Sequence, residues 1–100
     1  MNIKLTEETK ISNLGVKLYR IQAIKDFKEI KKGELGGWIE SLSNITGNAW
    51  VSENAEVSGN AKVSENAEVS GDAKVSEDAE VFGNAWVSGY TEVSGNAEVY

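Results

Sequence analysis

Besides three tyrosines, the side chains able to ionise in this 100-residue chain are sixteen carboxylates and ten Lys/Arg, for it has no histidine and no cysteine. Thiolate nucleophiles, disulfides, imidazole general bases and the usual zinc ligand sets are thereby excluded. A carboxylate can serve as a general base, but the spacing of the acids suggests a different use. Glu56, Glu68, Glu80, Glu92 and Glu98 recur at multiples of six. A regular array of fixed negative charge does electrostatics: it attracts and orients a basic surface. Interleaved with it are Trp50, Phe82, Trp86, Tyr90 and Tyr100, which stand where neighbouring repeats carry Ser, Glu, Asn or Thr.

What positions these groups is a hexad. From Ile39 a branched aliphatic recurs every sixth residue: Ile39, Ile45, Val51, Val57, Val63, Val69, Val75, Val81, Val87, Val93 and Val99. Two residues before most of them stands a small one, from Ser43 and Ala49 through Ala85, Thr91 and Ala97. Small-x-aliphatic places both side chains on one face of a short strand, because strand side chains alternate. The intervening Ser-Gly-Asn or Ser-Glu-Asn supplies residues suited to a turn. A six-residue period of this kind predicts a β-helix. With three hexads per coil, residues eighteen apart stack at about 4.8 Å. Outward columns are then Trp50/Glu68/Trp86, Glu56/Lys74/Glu92 and Asn44/Lys62/Glu80/Glu98. Val57, Val75 and Val93 share one internal column. Corner columns include Asn48/Asn66/Asn84, read as an amide ladder, and Thr46/Ser64/Phe82/Tyr100, in which Phe82 and Tyr100 should stack.

Residues 1–38 do not repeat and are read as an N-terminal β cap over the first coil of a 39–100 β-helix, covering backbone groups that would otherwise be unpaired. Strands are expected over 16–27 and, more weakly, over 2–5, with a turn at 13–15 and a turn-rich passage at 31–37. The cap holds eight Lys/Arg against five acids, and residues 39–100 hold eleven acids against Lys62 and Lys74. A basic head thus precedes an acidic shaft, with Arg20 and Lys25 candidates to pair with shaft acids. The N-terminus has no apolar leader and no apolar run is long enough to span a bilayer, which points to a cytoplasmic protein.

The aliphatic-small hexad of residues 39–100 resembles the left-handed β-helix superfamily of hexapeptide-repeat acyltransferases. LYRIQAIKDF, then GELGGWIES, then GNAxVxGNAxV is also similar to small prophage-type hexapeptide-repeat proteins described as transferases. The resemblance implies a left-handed parallel β-helix. Enzymes of that superfamily use a histidine base and a prism long enough for a coenzyme A cleft, and the related carbonic anhydrases bind zinc through three histidines. This chain has no histidine, and 62 residues at eighteen per coil make about 3.4 coils. No catalytic residue, metal ligand or cofactor is therefore assigned. Ice binding would want outward threonine columns, and Thr46 and Thr91 are the threonines of the repeats.

The sequence leads instead to a non-enzymatic binding protein with a protein partner. Eleven acids less two lysines leave nine net charges over about 16 Å of shaft, about one per 1.8 Å, against roughly one per 1.7 Å in duplex DNA. A rigid rod with that charge density suits a DNA mimic that occupies the basic channel of a nucleic-acid-binding or defence complex, of the anti-CRISPR or anti-restriction type, without itself binding nucleic acid. Glu56, Glu68, Glu80, Glu92 and Glu98 form its expected acidic surface, with Trp50 and Trp86 as aromatic contacts. Phe82, Trp86, Tyr90, Val99 and Tyr100 cluster toward the last coil and are assigned to a two-fold homodimer through the C-terminal coils. Two other readings stay open: a structural oligomerisation module, and a degenerate acyltransferase relative. Acids that only keep a sheet-rich protein soluble would give the same composition.

Overall fold

In each hexad a Trp-Val, Glu-Val or Lys-Val pair forms a two-residue strand, and the turn that follows brings one residue to positive φ. The computed structural model describes residues 2–100. Nine such strands, β4 (Trp50–Val51), β5 (Glu56–Val57), β6 (Lys62–Val63), β7 (Glu68–Val69), β8 (Lys74–Val75), β9 (Glu80–Val81), β10 (Trp86–Val87), β11 (Glu92–Val93) and β12 (Glu98–Val99), wind into a parallel β-solenoid of about three turns. Its faces are the sheets β4-β7-β10, β6-β9-β12 and β3-β5-β8-β11, where β3 is Leu35–Ile39. Every rung joins residues eighteen apart: Trp50 to Glu68 to Trp86, Glu56 to Lys74 to Glu92, and Lys62 to Glu80 to Glu98.

The interior is the stacked aliphatic and alanine columns. Val51, Val57, Val63, Val69, Val75 and Val81 are wholly buried, as are Ala55, Ala67, Ala73 and Ala79. Stability in so narrow a core comes from close packing of small side chains and from the backbone ladder. That ladder has a fixed step, each donor bonding the carbonyl seventeen residues on: Trp38 N–H to Ala55 O, Glu56 to Ala73 and Lys74 to Thr91, each at 3.0 Å.

Turn glycines, such as Gly59 and Gly95, lie at φ near 65°, and Glu53, Glu65 and Glu77 occupy the equivalent position at φ 59° to 61°. A left-handed conformation costs a non-glycine residue about 1–2 kcal/mol. Each of these glutamates offsets it by accepting the amide N–H of the glycine one coil later: Glu53 from Gly71 at 2.8 Å, Glu65 from Gly83 at 3.0 Å and Glu77 from Gly95 at 2.9 Å. Glu40, itself not in the left-handed region, also accepts the Gly59 N–H, at 2.6 Å. The alternation of Gly-Asn-Ala and Glu-Asn-Ala hexads thus has a structural use.

The cap is a hairpin, β1 (Ile3–Ile11) with β2 (Lys17–Ala23), added antiparallel to β3 so that one sheet runs β1-β2-β3-β5-β8-β11. β1 extends well past the strand expected at 2–5, with an irregularity between Leu5 and Thr9, and β2 ends at Ala23 rather than at 27. The turn falls where expected, with Gly15 at φ 83° and the Ser12 hydroxyl accepting the N–H groups of Leu14 and Val16. Ile3, Ile21, Phe27 and Ile30 of the cap join Ile39, Ile45 and the solenoid valines in one buried apolar cluster. Gly36 and Gly37 make this junction: a Cβ on Gly37 would lie 2.7 Å from Val51 Cγ1 and 2.8 Å from the Ala55 carbonyl oxygen. Only glycine lets β3 approach the solenoid so closely.

Ser43 and Asn44 depart from the column reading. A 3-10 turn at Leu42–Asn44 interrupts the first coil, leaving Ser43 exposed and Asn44 fully buried. The ladder step calls for donors from residues 42 and 44 to the carbonyls of Gly59 and Ala61, and the backbone of the turn cannot supply them. Asn44 Nδ2 donates to both instead, at 3.2 and 2.8 Å, while its Oδ1 accepts the Glu40 and Ser41 N–H groups at 3.1 and 2.9 Å. Asn44 is a structural plug and not an outward surface residue.

Candidate protein-interaction surface

The acids separate into classes once their partners are known. Glu56 and Glu68, assigned to the acidic surface, are paired with cap lysines: Lys10 Nζ lies 3.0 Å from Glu56 Oε2, and Lys28 Nζ lies 3.0 Å from Glu68 Oε2. Arg20 pairs with Glu8 inside the cap, so Lys10 and Lys28, not Arg20 and Lys25, tie the basic head to the shaft. Asp72 and Asp78 accept the side-chain amides of Asn54 and Asn60 at 3.3 and 3.4 Å. These are the corner ladders that form. Asn48 is occupied by the amide of Asn2 at 3.0 Å, and among the described residues no side-chain hydrogen bond links Asn48, Asn66 and Asn84.

Glu80, Glu92 and Glu98 remain as exposed acids with no hydrogen-bond or ion-pair partner among the described residues. Glu80 and Glu98 are neighbours on β9 and β12, and Glu92 follows Lys74 on the adjoining face. Residues 76–100 hold five acids and no base, so all but one unit of the net charge of -6 resides there. The negative charge is therefore concentrated toward the C-terminal coils, where among the described residues no cap lysine pairs with Glu80, Glu92 or Glu98.

The aromatics divide in the same way. Trp50 is buried at 3% exposure beneath Phe27, whose ring meets it edge-on at 5.8 Å, so it is not the exposed contact expected of it. Trp86, two rungs along the same face, is 70% exposed, and Tyr90 and Tyr100 are 87% and 82% exposed. Phe82 and Tyr100 stack with ring centroids 5.0 Å apart and planes 23° apart. Val99 is half-buried. Trp86, Tyr90, Glu92 and Glu98 accordingly share the coils that carry most of the charge.

Sequence reasoning missed two features. The hairpin turn overhangs the Glu56/Lys74/Glu92 face, making an open polar groove of about 390 Å³ with Lys10, Asn13, Asp72 and Tyr90 on its walls. The loop between β2 and β3 lies beside the tryptophan face, leaving a groove of about 580 Å³ between Ile30 and Trp86. Both depend on where the non-repeating cap folds back, which no local pattern encodes. No described group of three or more acidic side chains is placed to hold a metal ion, and no described helix is long and apolar enough to cross a membrane. The chain matches no protein-family model and no curated protein sequence.

Proposed function

We propose that the chain is a non-enzymatic binding protein whose C-terminal coils present a rigid acidic and aromatic surface to a basic protein partner. The observation that carries this reading is the coincidence, on residues 76–100, of Glu80, Glu92 and Glu98 without internal partners and Trp86 and Tyr90 largely exposed. Monomers seldom leave several large aromatics exposed, and interface cores are enriched in them. Fixed carboxylates on the adjoining faces of the same coils steer a basic partner toward this end of the shaft. The use that fits is occupation of the basic channel of a nucleic-acid-binding or defence complex in the cytoplasm, in place of DNA. The rigid backbone favours this, because a preordered rod loses little conformational freedom on binding.

Affinity capture from a bacterial lysate tests the proposal with two baits, the native chain and a Glu80→Lys, Glu92→Lys, Glu98→Lys variant. A basic nucleic-acid-binding protein held by the native bait, eluted by salt and lost from the variant is the expected result. Retention of the same partner by both baits, insensitive to salt, refutes the acidic surface.

The second reading is self-association through Phe82, Trp86, Tyr90, Val99 and Tyr100, favoured by the Phe82–Tyr100 stack and the exposure beside it. A symmetric pair would bring two acidic ends together, and the apolar contact must outweigh that repulsion.

A further inference from the structure

The three tryptophans hold equivalent outward positions, each with a glutamate on the neighbouring strand, and the cap covers two of them. Trp38 neighbours Glu56 on β5. Over its ring lies Lys10 Nζ, 4.7 Å from the centroid and 3.0 Å from Glu56 Oε2, with the Arg20 guanidinium carbon 5.6 Å from the same ring. The unit is a tryptophan face, a cation held on it and a carboxylate pairing with that cation. Trp50 neighbours Glu68 and is closed by Phe27. Trp86 also neighbours Glu68, on the opposite side, and among the described residues neither a cation nor an aromatic ring covers it.

The indole of Trp86 is also held in place. Its Nε1 donates to Ser70 Oγ at 3.3 Å, which fixes the ring while 70% of the residue stays exposed. It lines the groove of about 580 Å³ together with Ile30, Glu29, Glu34 and Glu68. The one base on that groove, Lys28, is already engaged with Glu68 Oε2 and the Asn66 carbonyl oxygen, each at 3.0 Å. Glu29, Glu34 and an uncovered indole thus face a space in which Lys28 and Glu68 are already paired with each other.

We propose that this groove is a socket for an arginine side chain of the partner, its guanidinium lying on Trp86 and its N–H groups directed to the groove carboxylates. The site reproduces between molecules what Lys10, Trp38 and Glu56 form within one. Arginine suits it better than lysine, because a planar guanidinium stacks on an indole and still donates in its plane. The inference rests on the acidic-surface reading and adds the anchoring side chain and its address.

The test uses the full chain and a fluorescein-labelled octa-arginine peptide, with affinity read by anisotropy at low and at near-physiological salt. Native protein and Trp86→Ala are compared, with Trp86→Phe as the conservative variant and Glu80→Lys, Glu92→Lys, Glu98→Lys as the general charge control. Trp86→Ala is expected to weaken binding roughly 3- to 30-fold at both salts, the span of a cation–π contact from exposed to desolvated, and Trp86→Phe to restore part of it. Circular dichroism verifies that each variant keeps the fold. If Trp86→Ala binds as the native chain does while the triple reversal weakens binding, the socket is wrong and the acidic surface stands. If neither change affects binding, both are wrong.

Discussion

Replacing Asn44 by leucine isolates the plug that repairs the first coil. The amide of Asn44 makes four hydrogen bonds, and its bond to the Ala61 carbonyl oxygen at 2.8 Å is the one fully shielded from water. Glu40 N–H keeps a second acceptor in Val57 O at 3.0 Å, so its loss matters little. An orphaned buried carbonyl at Ala61 costs about 1–3 kcal/mol. The Gly59 carbonyl and the Ser41 N–H are reachable by water and add about 0.5–1 kcal/mol each. The expected total is about 3 kcal/mol, a large part of the roughly 5–15 kcal/mol that holds a domain of this kind together. Thermal melting followed by far-UV circular dichroism should show a fall of about 12–24 °C, at roughly 4–8 °C per kcal/mol. Asn84→Leu is the matched control, because Asn84 is an exposed asparagine, and its effect should stay within about 0.5 kcal/mol. A loss below about 1 kcal/mol for Asn44→Leu would mean that the 3-10 turn finds other donors and that the ladder argument fails.

Val75 is wholly buried between Val57 and Val93, so Val75→Asp should cost several kcal/mol and abolish cooperative melting; an unchanged melting temperature contradicts the observed register. Glu77→Ala keeps the left-handed turn and loses the acceptor for Gly95 N–H, whereas Glu77→Gly loses acceptor and strain together. Urea titrations should therefore place the alanine variant about 1 kcal/mol below native and the glycine variant close to it; the reverse order removes the proposed compensation. Light scattering at micromolar concentration tests self-association: a native dimer that becomes monomeric in Phe82→Glu, Tyr100→Glu supports it, and a native monomer rejects it.

The parts of this protein legible from its residues are those governed by local alternation. Small-x-aliphatic pairs fix which side chains point inward, and a period of six, three to a coil, fixes that residue 57 lies on residue 75. The stacked valines, the three outward columns from β4 onward and the Phe82–Tyr100 stack follow directly. The residues of the repeat carry that information themselves, since each coil touches only its neighbours.

What the repeat could not decide is what the non-repeating cap covers. Trp50 and Trp86 are indistinguishable in their hexads, yet one lies under Phe27 and the other stands open. Glu56 and Glu92 occupy one column, yet Lys10 reaches only the first. Asn44 falls in an outward position by spacing and turns inward because a 3-10 turn leaves two carbonyls without donors. The tryptophan and glutamate outcomes rest on contacts between segments far apart in sequence, made as the 2–38 hairpin and loop fold back on the shaft, and the Asn44 outcome rests on carbonyls of the next coil. Periodicity assigns a residue to a face, and only the tertiary contacts, of the cap above all, determine whether that residue meets solvent.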